Sequence, residues 1–177
     1  MPQLALSAIG RDRPGIVAEV TRALLGHSLN ITHSRMGVLG GRFSMMLIVA
    51  APEGTDLDAV REELARTSDR LALDAYSLSE LGAAADAAPA EPSHVVTVHG
   101  VDHPGIVHAL AARLAARDVN VYDMTTGLAD TGGLHAMVLE VALPAGLDPE
   151  ALGAMLAEVG AEQGVEVTVR PLERGGP

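Results

Sequence analysis

The stretch Gly10-Arg11-Asp12-Arg13-Pro14-Gly15-Ile16-Val17 returns further along the chain as Gly100-Val101-Asp102-His103-Pro104-Gly105-Ile106-Val107, an offset of 90. At the same offset Leu24 meets Leu114 and Asn30-Ile31 meets Asn120-Val121. After a two-residue slip, Gly40-Gly41 meets Gly132-Gly133 and Pro52 meets Pro144. A chain of 177 residues is long for one compact unit and short for two ordinary domains of ~100–200 residues each. Two small copies of one unit resolve that mismatch. Between them runs Leu81 to Pro92, which has no periodic apolar face and two prolines near its end, and it reads as a linker. The expected organisation is a first unit over 1–81, a linker over 82–92 and a second unit over 93–174.

Within each copy the hydrophobic period changes in the same order. Leu4–Ile9 and Val95–Val98 are short apolar runs stopped by glycine, as in buried strands. Pro14 and Pro104 suit a first helical turn, and Ile16, Val20, Leu24 and Ile106, Leu110, Leu114 then recur every four residues. Asn30–Val38 and Val119–Leu128 read as strands, and each leads through a glycine-rich turn to another apolar run, Phe43–Ala50 and His135–Leu143. Leu57, Val60, Leu64 and Leu152, Leu156, Val159 mark a second helix, and Leu71–Leu78 and Val165–Val169 a last strand. The order is βαββαβ, twice. The predicted fold class is α+β: two tandem ferredoxin-like units, each an antiparallel sheet with both helices on one face. Units of this size bury a modest fraction of their surface, so side-by-side pairing and a homodimer are expected.

Composition removes whole classes of function. There is no Cys, so disulfides, thiolate metal sites and cysteine nucleophiles are excluded. All 12 basic residues are Arg, so a Schiff-base lysine and a phosphate loop of the Walker type are excluded too. Net charge is -11, with eight Arg against eleven acids in residues 1–90 and four against twelve in 91–177. Neither half offers a positive field to nucleic acid or anionic lipid. With no Trp, two Tyr and one Phe, base-stacking platforms are absent as well. No run approaches the ~20 apolar residues of a membrane span, and the expected location is the cytoplasm. The sequence contains no Gly-x-Ser-x-Gly elbow and no His-Glu-x-x-His helix, so no catalytic residue is assigned.

The candidate chemistry lies in the repeated turn. A strand that runs into a helix N-terminus leaves N–H groups without partners, and the helix dipole favours negative charge there. A ligand carboxylate fits that place. Asp12 and Asp102 either receive the ammonium of the same ligand or cap the helix; Asn30 and Asn120 are either turn residues or amide contacts. Five of the seven histidines lie in the second copy, but His99, His103 and His108 do not share one helix face, and no metal or cofactor is expected. The glycines at 37–41 and 127–133 suit hairpin turns better than a phosphate cradle, and Met45, Met46 and Met137, in apolar strands, are expected in the core.

Asp12-Arg13-Pro14-Gly15-Ile16-Val17 followed by Asn30-Ile31 resembles the signature of ACT domains, ligand-sensing βαββαβ modules. Two copies resemble the tandem ACT proteins of the glycine cleavage system transcriptional repressor type. The resemblance implies amino-acid sites at interfaces between ACT units, built from Asp12, Arg13, Pro14, Gly15, Ile16, Asn30 and Ile31, and from Asp102, His103, Pro104, Gly105, Ile106, Asn120 and Val121. It also implies a non-catalytic regulatory protein that binds a small amino acid, of the glycine or serine type, and controls a protein partner in amino-acid metabolism. The alternative is a detached regulatory subunit of an enzyme such as a phosphoserine phosphatase or a formyltetrahydrofolate deformylase. Arg13 is replaced by His103 and Ile31 by Val121, and the first copy stands closer to the family pattern.

Overall fold

The computed structural model describes residues 1–82, 91–128 and 134–173, and the chain divides into two compact units. The first contains β1 (Gln3–Arg11), α1 (Ile16–Gly26), β2 (Asn30–Leu39), β3 (Arg42–Ala50), α2 (Leu57–Leu71) and β4 (Leu73–Leu81). The second repeats the order with β5 (His94–Val101), α3 (Ile106–Ala115), β6 (Asn120–Leu128), β7 (Leu134–Ala142), α4 (Pro149–Gln163) and β8 (Val165–Pro171). Each unit has one four-stranded antiparallel sheet, ordered β2-β3-β1-β4 and β6-β7-β5-β8. The split βαβ pattern expected from the sequence is therefore present twice. Residues 83–90 of the linker expected over 82–92, and the second hairpin turn at 129–133, lie outside the described residues.

Alternation builds each core. Leu4, Leu6 and Ala8 of β1 and Met45, Leu47 and Val49 of β3 point to one face of the sheet, where Ile16, Val20 and Leu24 of α1 and Val60 and Leu64 of α2 close over them. Val96 and Val98, Met137, Leu139 and Val141, with Ile106, Leu110, Leu114, Leu152, Leu156 and Val159, do the same in the second unit. The opposite face carries Ile9, which is 45% exposed, and Met46, which is 58% exposed. Met46 thus leaves the core set expected for it, because it alternates with buried Met45 and Leu47.

Three local readings change. Pro14 precedes the helix instead of occupying its first turn, since Gly15 is the N-cap and Ile16 the first helical residue; Pro104 does the same before Gly105. Leu71 closes α2, buried, and the last strand begins two residues later. The second helices have acidic caps: Asp56 accepts from the N–H groups of Asp58 and Ala59, both at 3.1 Å, and Asp148 from that of Glu150 at 3.0 Å. At the β2–β3 hairpin, Gly40 and Gly41 have φ of 57° and 74°, the paired left-handed conformation of a two-residue turn.

One irregularity recurs. The β2–β3 register slips between Ile31 and His33, and the β6–β7 register slips between Val121 and Asp123. Both are bulges with one extra residue, Thr32 or Tyr122.

Candidate functional site

The first strand of each unit ends at Arg11 or Val101, and a short turn delivers the chain to a helix whose N-cap is a glycine. Gly15 has φ 98° and Gly105 φ 111°, conformations that side-chain-bearing residues rarely adopt. Their carbonyls accept the first helical hydrogen bonds, from the N–H groups of Glu19 and Ala109, both at 2.9 Å. No side chain caps either helix. Of the two roles open to Asp12 and Asp102, capping is therefore not the one the structure displays. Asp12 instead donates its own backbone N–H to the Gly41 carbonyl at 3.3 Å, tying the turn to the hairpin. A Cβ built on Gly15 would meet nothing within 4 Å, and one on Gly105 only the Gln163 side-chain oxygen at 3.8 Å. These glycines are required by backbone conformation; the space before them is open.

One strand residue back the situation reverses. A Cβ on Gly10 would lie 2.9 Å from Leu73 Cδ2, and one on Gly100 2.6 Å from Val165 Cγ1 and 3.0 Å from Val165 Cα. Here the last strand packs directly on the backbone of the first, so only glycine fits.

Arg13 and His103, which differ in chemistry, make equivalent contacts. Arg13 Nη2 donates to the Arg70 carbonyl at 3.4 Å, in the last turn of α2. His103 Nε2 lies 2.7 Å from the carbonyl of Gln163, the last residue of α4, and Nδ1 lies 3.1 Å from the Pro104 carbonyl. Both partners of the imidazole are acceptors, an arrangement that favours the protonated ring, in which both nitrogens donate. The Gln163 and Pro104 carbonyls accordingly raise the His103 pKa above its ordinary 6.5, assisted by the charge of Asp102. Either cation faces a helix C-terminus, where the dipole favours it.

Beside the second turn lies a cavity of about 310 Å³ lined by Val98, Gly100, Asp102 to Val107, His135, Met137 and Val165. It contains five of the seven second-copy residues singled out from the sequence: Asp102, His103, Pro104, Gly105 and Ile106. His135 was not among those residues. Its register opposite Gly100 brings it there, a long-range pairing that no local motif reveals.

Asn30 and Asn120 are not brought to the turn of their own unit. Asn30 pairs with Ala50 whereas Arg11 pairs with Arg42, eight residues away along β3, or about 26 Å at ~3.3 Å per residue. Asn120 and Val101 are likewise paired with opposite ends of β7, at Ala142 and Leu134. Asn30 and Ile31 line a separate groove with Thr21, Arg22 and Leu25 of α1. The turn and the asparagine of one unit therefore do not converge. Among the described residues no group of three or more His, Asp or Glu side chains converges as metal ligands would, and no helix is long and apolar enough to cross a membrane.

Comparison with known proteins agrees with this geometry. A family model described as the ACT domain matches residues 3–76 and again residues 94–170. A UPF0237 protein of Methanopyrus kandleri is 35% identical over 75 residues, which span 42% of this chain and 83% of that protein. The glycine cleavage system transcriptional repressor of Escherichia coli is 24% identical over 172 residues, 93% of this chain and 89% of that one. Among solved structures, a protein of unknown function from Galdieria sulphuraria superposes with a TM-score of 0.76 at 27% identity, covering 97% of this chain and 99% of its own. A candidate glycine cleavage system transcriptional repressor reaches 0.77 over 98% of both chains at 17% identity, a likeness of fold. With the family pattern matched in both units and the turn geometry repeated, the chain belongs to the ACT-domain family and carries two ACT units in tandem.

Proposed function

We propose that this protein is a non-catalytic amino-acid sensor: it binds a small amino acid, of the glycine or serine type, at its ACT turns and controls a protein partner in amino-acid metabolism. One observation carries the reading. Each unit presents an uncapped helix N-terminus behind a left-handed glycine with open space in front of it, the arrangement a carboxylate occupies. The similarity to the Escherichia coli repressor over 93% of the chain supports a regulatory role. Because the turn and the asparagine lie at opposite ends of each sheet, a complete site joins two ACT units. Pairing of units, and with it a homodimer, is therefore part of the proposal. Ligand changes assembly or partner binding only through a difference in affinity for two arrangements of the units.

In this reading control runs through protein contacts rather than direct DNA binding, which the net charge of -11 supports, and the protein works in the cytoplasm. Thermal shift and calorimetry with each of the twenty amino acids test the sensor. A ligand at a hundredfold excess over Kd stabilises by about 2.7 kcal/mol, a readily measured rise in Tm. Absence of binding in the millimolar range by folded protein would refute it.

A further inference from the structure

We infer that the open faces of the two sheets are docking surfaces for a second copy of this chain: the first unit's face of one copy seats on the second unit's face of the other, and two-fold symmetry supplies the reverse contact. The inference goes beyond the sensor reading, which calls for paired units without naming the surfaces that meet. Within each unit the helices cover one face of the sheet and leave the other bare. Ile9 and Met46 stand exposed on the bare face of the first sheet, and exposed Val138 and half-buried Val95 on that of the second. An exposed apolar centre with charges around it is the make-up of an interface. Beside Ile9 and Met46, the small residues Ser7, Gly37 and Ser44 leave a groove of about 390 Å³. It gives side chains of a facing sheet room to interdigitate, as two sheets packed ~10 Å apart require.

Charge says what covers these faces. Arg11 and Arg42 are register partners, as are Asp123 and Glu140, so each bare face holds one directly opposed pair of like charges, an unfavourable arrangement in a sheet by itself. Asp74 forms an ion pair with Arg42 and offsets one of the cations. Arg35, opposite Met46, adds a third, so the first face carries an excess of positive charge in a chain whose net charge is -11. The second face has the opposite sign. There Glu166, opposite His99, joins Asp123 and Glu140, and Arg170, opposite Val95, offsets one of the three acids. Each face therefore repels a copy of itself and attracts the other.

Size points to two contacts between two copies. Four strands of about nine residues, ~4.8 Å apart with ~3.3 Å per residue, make a face of roughly 19 Å by 30 Å. One face-to-face contact then buries roughly 1,100 Å² in total, below the ~1,200–2,000 Å² of stable specific interfaces, whereas the reciprocal pair buries roughly 2,200 Å² and reaches homodimer size. The helix side of each unit, where α1 and α3 begin, stays uncovered by this contact.

Analytical ultracentrifugation of the full chain is expected to give a dimer at micromolar concentration. Arg11→Glu with Arg35→Glu reverses the first face, and Glu140→Arg with Glu166→Arg reverses the second. Each double variant alone should dissociate at least about tenfold more readily, with circular dichroism unchanged. Mixing the two should restore the dimer mass, because each reversed face then meets its opposite, and one chain carrying all four substitutions should dimerise with itself. A chain that stays monomeric at tens of micromolar, reversals that leave the dimer intact, or variants that fail to reassociate on mixing overturn the inference. The amino-acid screen keeps the two readings apart. A dimer that obeys the reversals but binds none of the twenty amino acids sinks the sensor and leaves the docking faces; a ligand-dependent rise in Tm in a chain indifferent to the reversals does the converse.

Discussion

His103 shows how one substitution between the repeats adds a proton to the energetics. Its two carbonyl partners favour the charged ring, so the folded-state pKa lies above the unfolded one. The stabilisation is fully present below the unfolded value of about 6.5 and is lost as pH rises through the folded pKa. His103→Ala should therefore lower Tm at about pH 5.5 more than at about pH 8.5, as scanning calorimetry at the two pH values will show. An equal loss at both would assign the side chain a packing role. Gly15 and Gly105 make a different prediction. No neighbour contacts a Cβ there closer than 3.8 Å, so the cost of Ala is backbone strain alone, roughly 1–2 kcal/mol in urea unfolding. Asn at either place should recover part of it, since Asn tolerates the left-handed region.

At the scale of elements, α4 packs so closely on β8 that helix propensity gives the wrong sign. Gly160 lies inside α4, where Ala is ordinarily favoured by about 0.5–1 kcal/mol. Its Cβ, however, would stand 2.7 Å from the Val165 carbonyl oxygen and 2.7 Å from Val167 Cγ2. Gly160→Ala is expected to destabilise by about 1–3 kcal/mol, measured by denaturant unfolding; a gain would mean that β8 moves aside freely. Such contacts mark the boundary of what the sequence conveys. Every strand and helix was legible, because burial imposes periods of two and 3.6 that Leu4–Ile9 or Ile16, Val20 and Leu24 display openly. Pro14 was misplaced because the same residue suits a turn and a first helical position, and the left-handed φ of Gly15 decides between them. His135 stayed hidden because its pairing with Gly100 joins positions 35 residues apart. Distance along the sheet likewise does not show in spacing, so Asn30 and the Pro14 turn, near in sequence, gave no sign of lying at opposite ends.

For the whole molecule, the segment at 82–92 is the proposed joint between the units, and its composition alone predicts that limited proteolysis cuts there first. First cleavage inside α1 or α3 would contradict a chain of two units. Direct binding to duplex DNA should be undetectable by mobility shift at submicromolar protein, and a salt-dependent shift would overturn the charge argument. The repeated bulge finally bears on how such a chain tolerates change in length. Ile31 and Val121 oppose buried Val49 and Val141, whereas Arg35 and Thr125 oppose Met46 and Val138 on the other face. Residues separated by an even count share a face in a regular strand, so Thr32 and Tyr122 act as phase shifters that reconcile two incompatible frames. Deleting either one is a structural frameshift: Ile31, which packs against the first core, or its more exposed counterpart Val121 turns to the opposite face, or the polar set beyond it changes face instead. Evolution can vary what stands at 32 and 122, as Thr and Tyr already attest, but cannot remove the position.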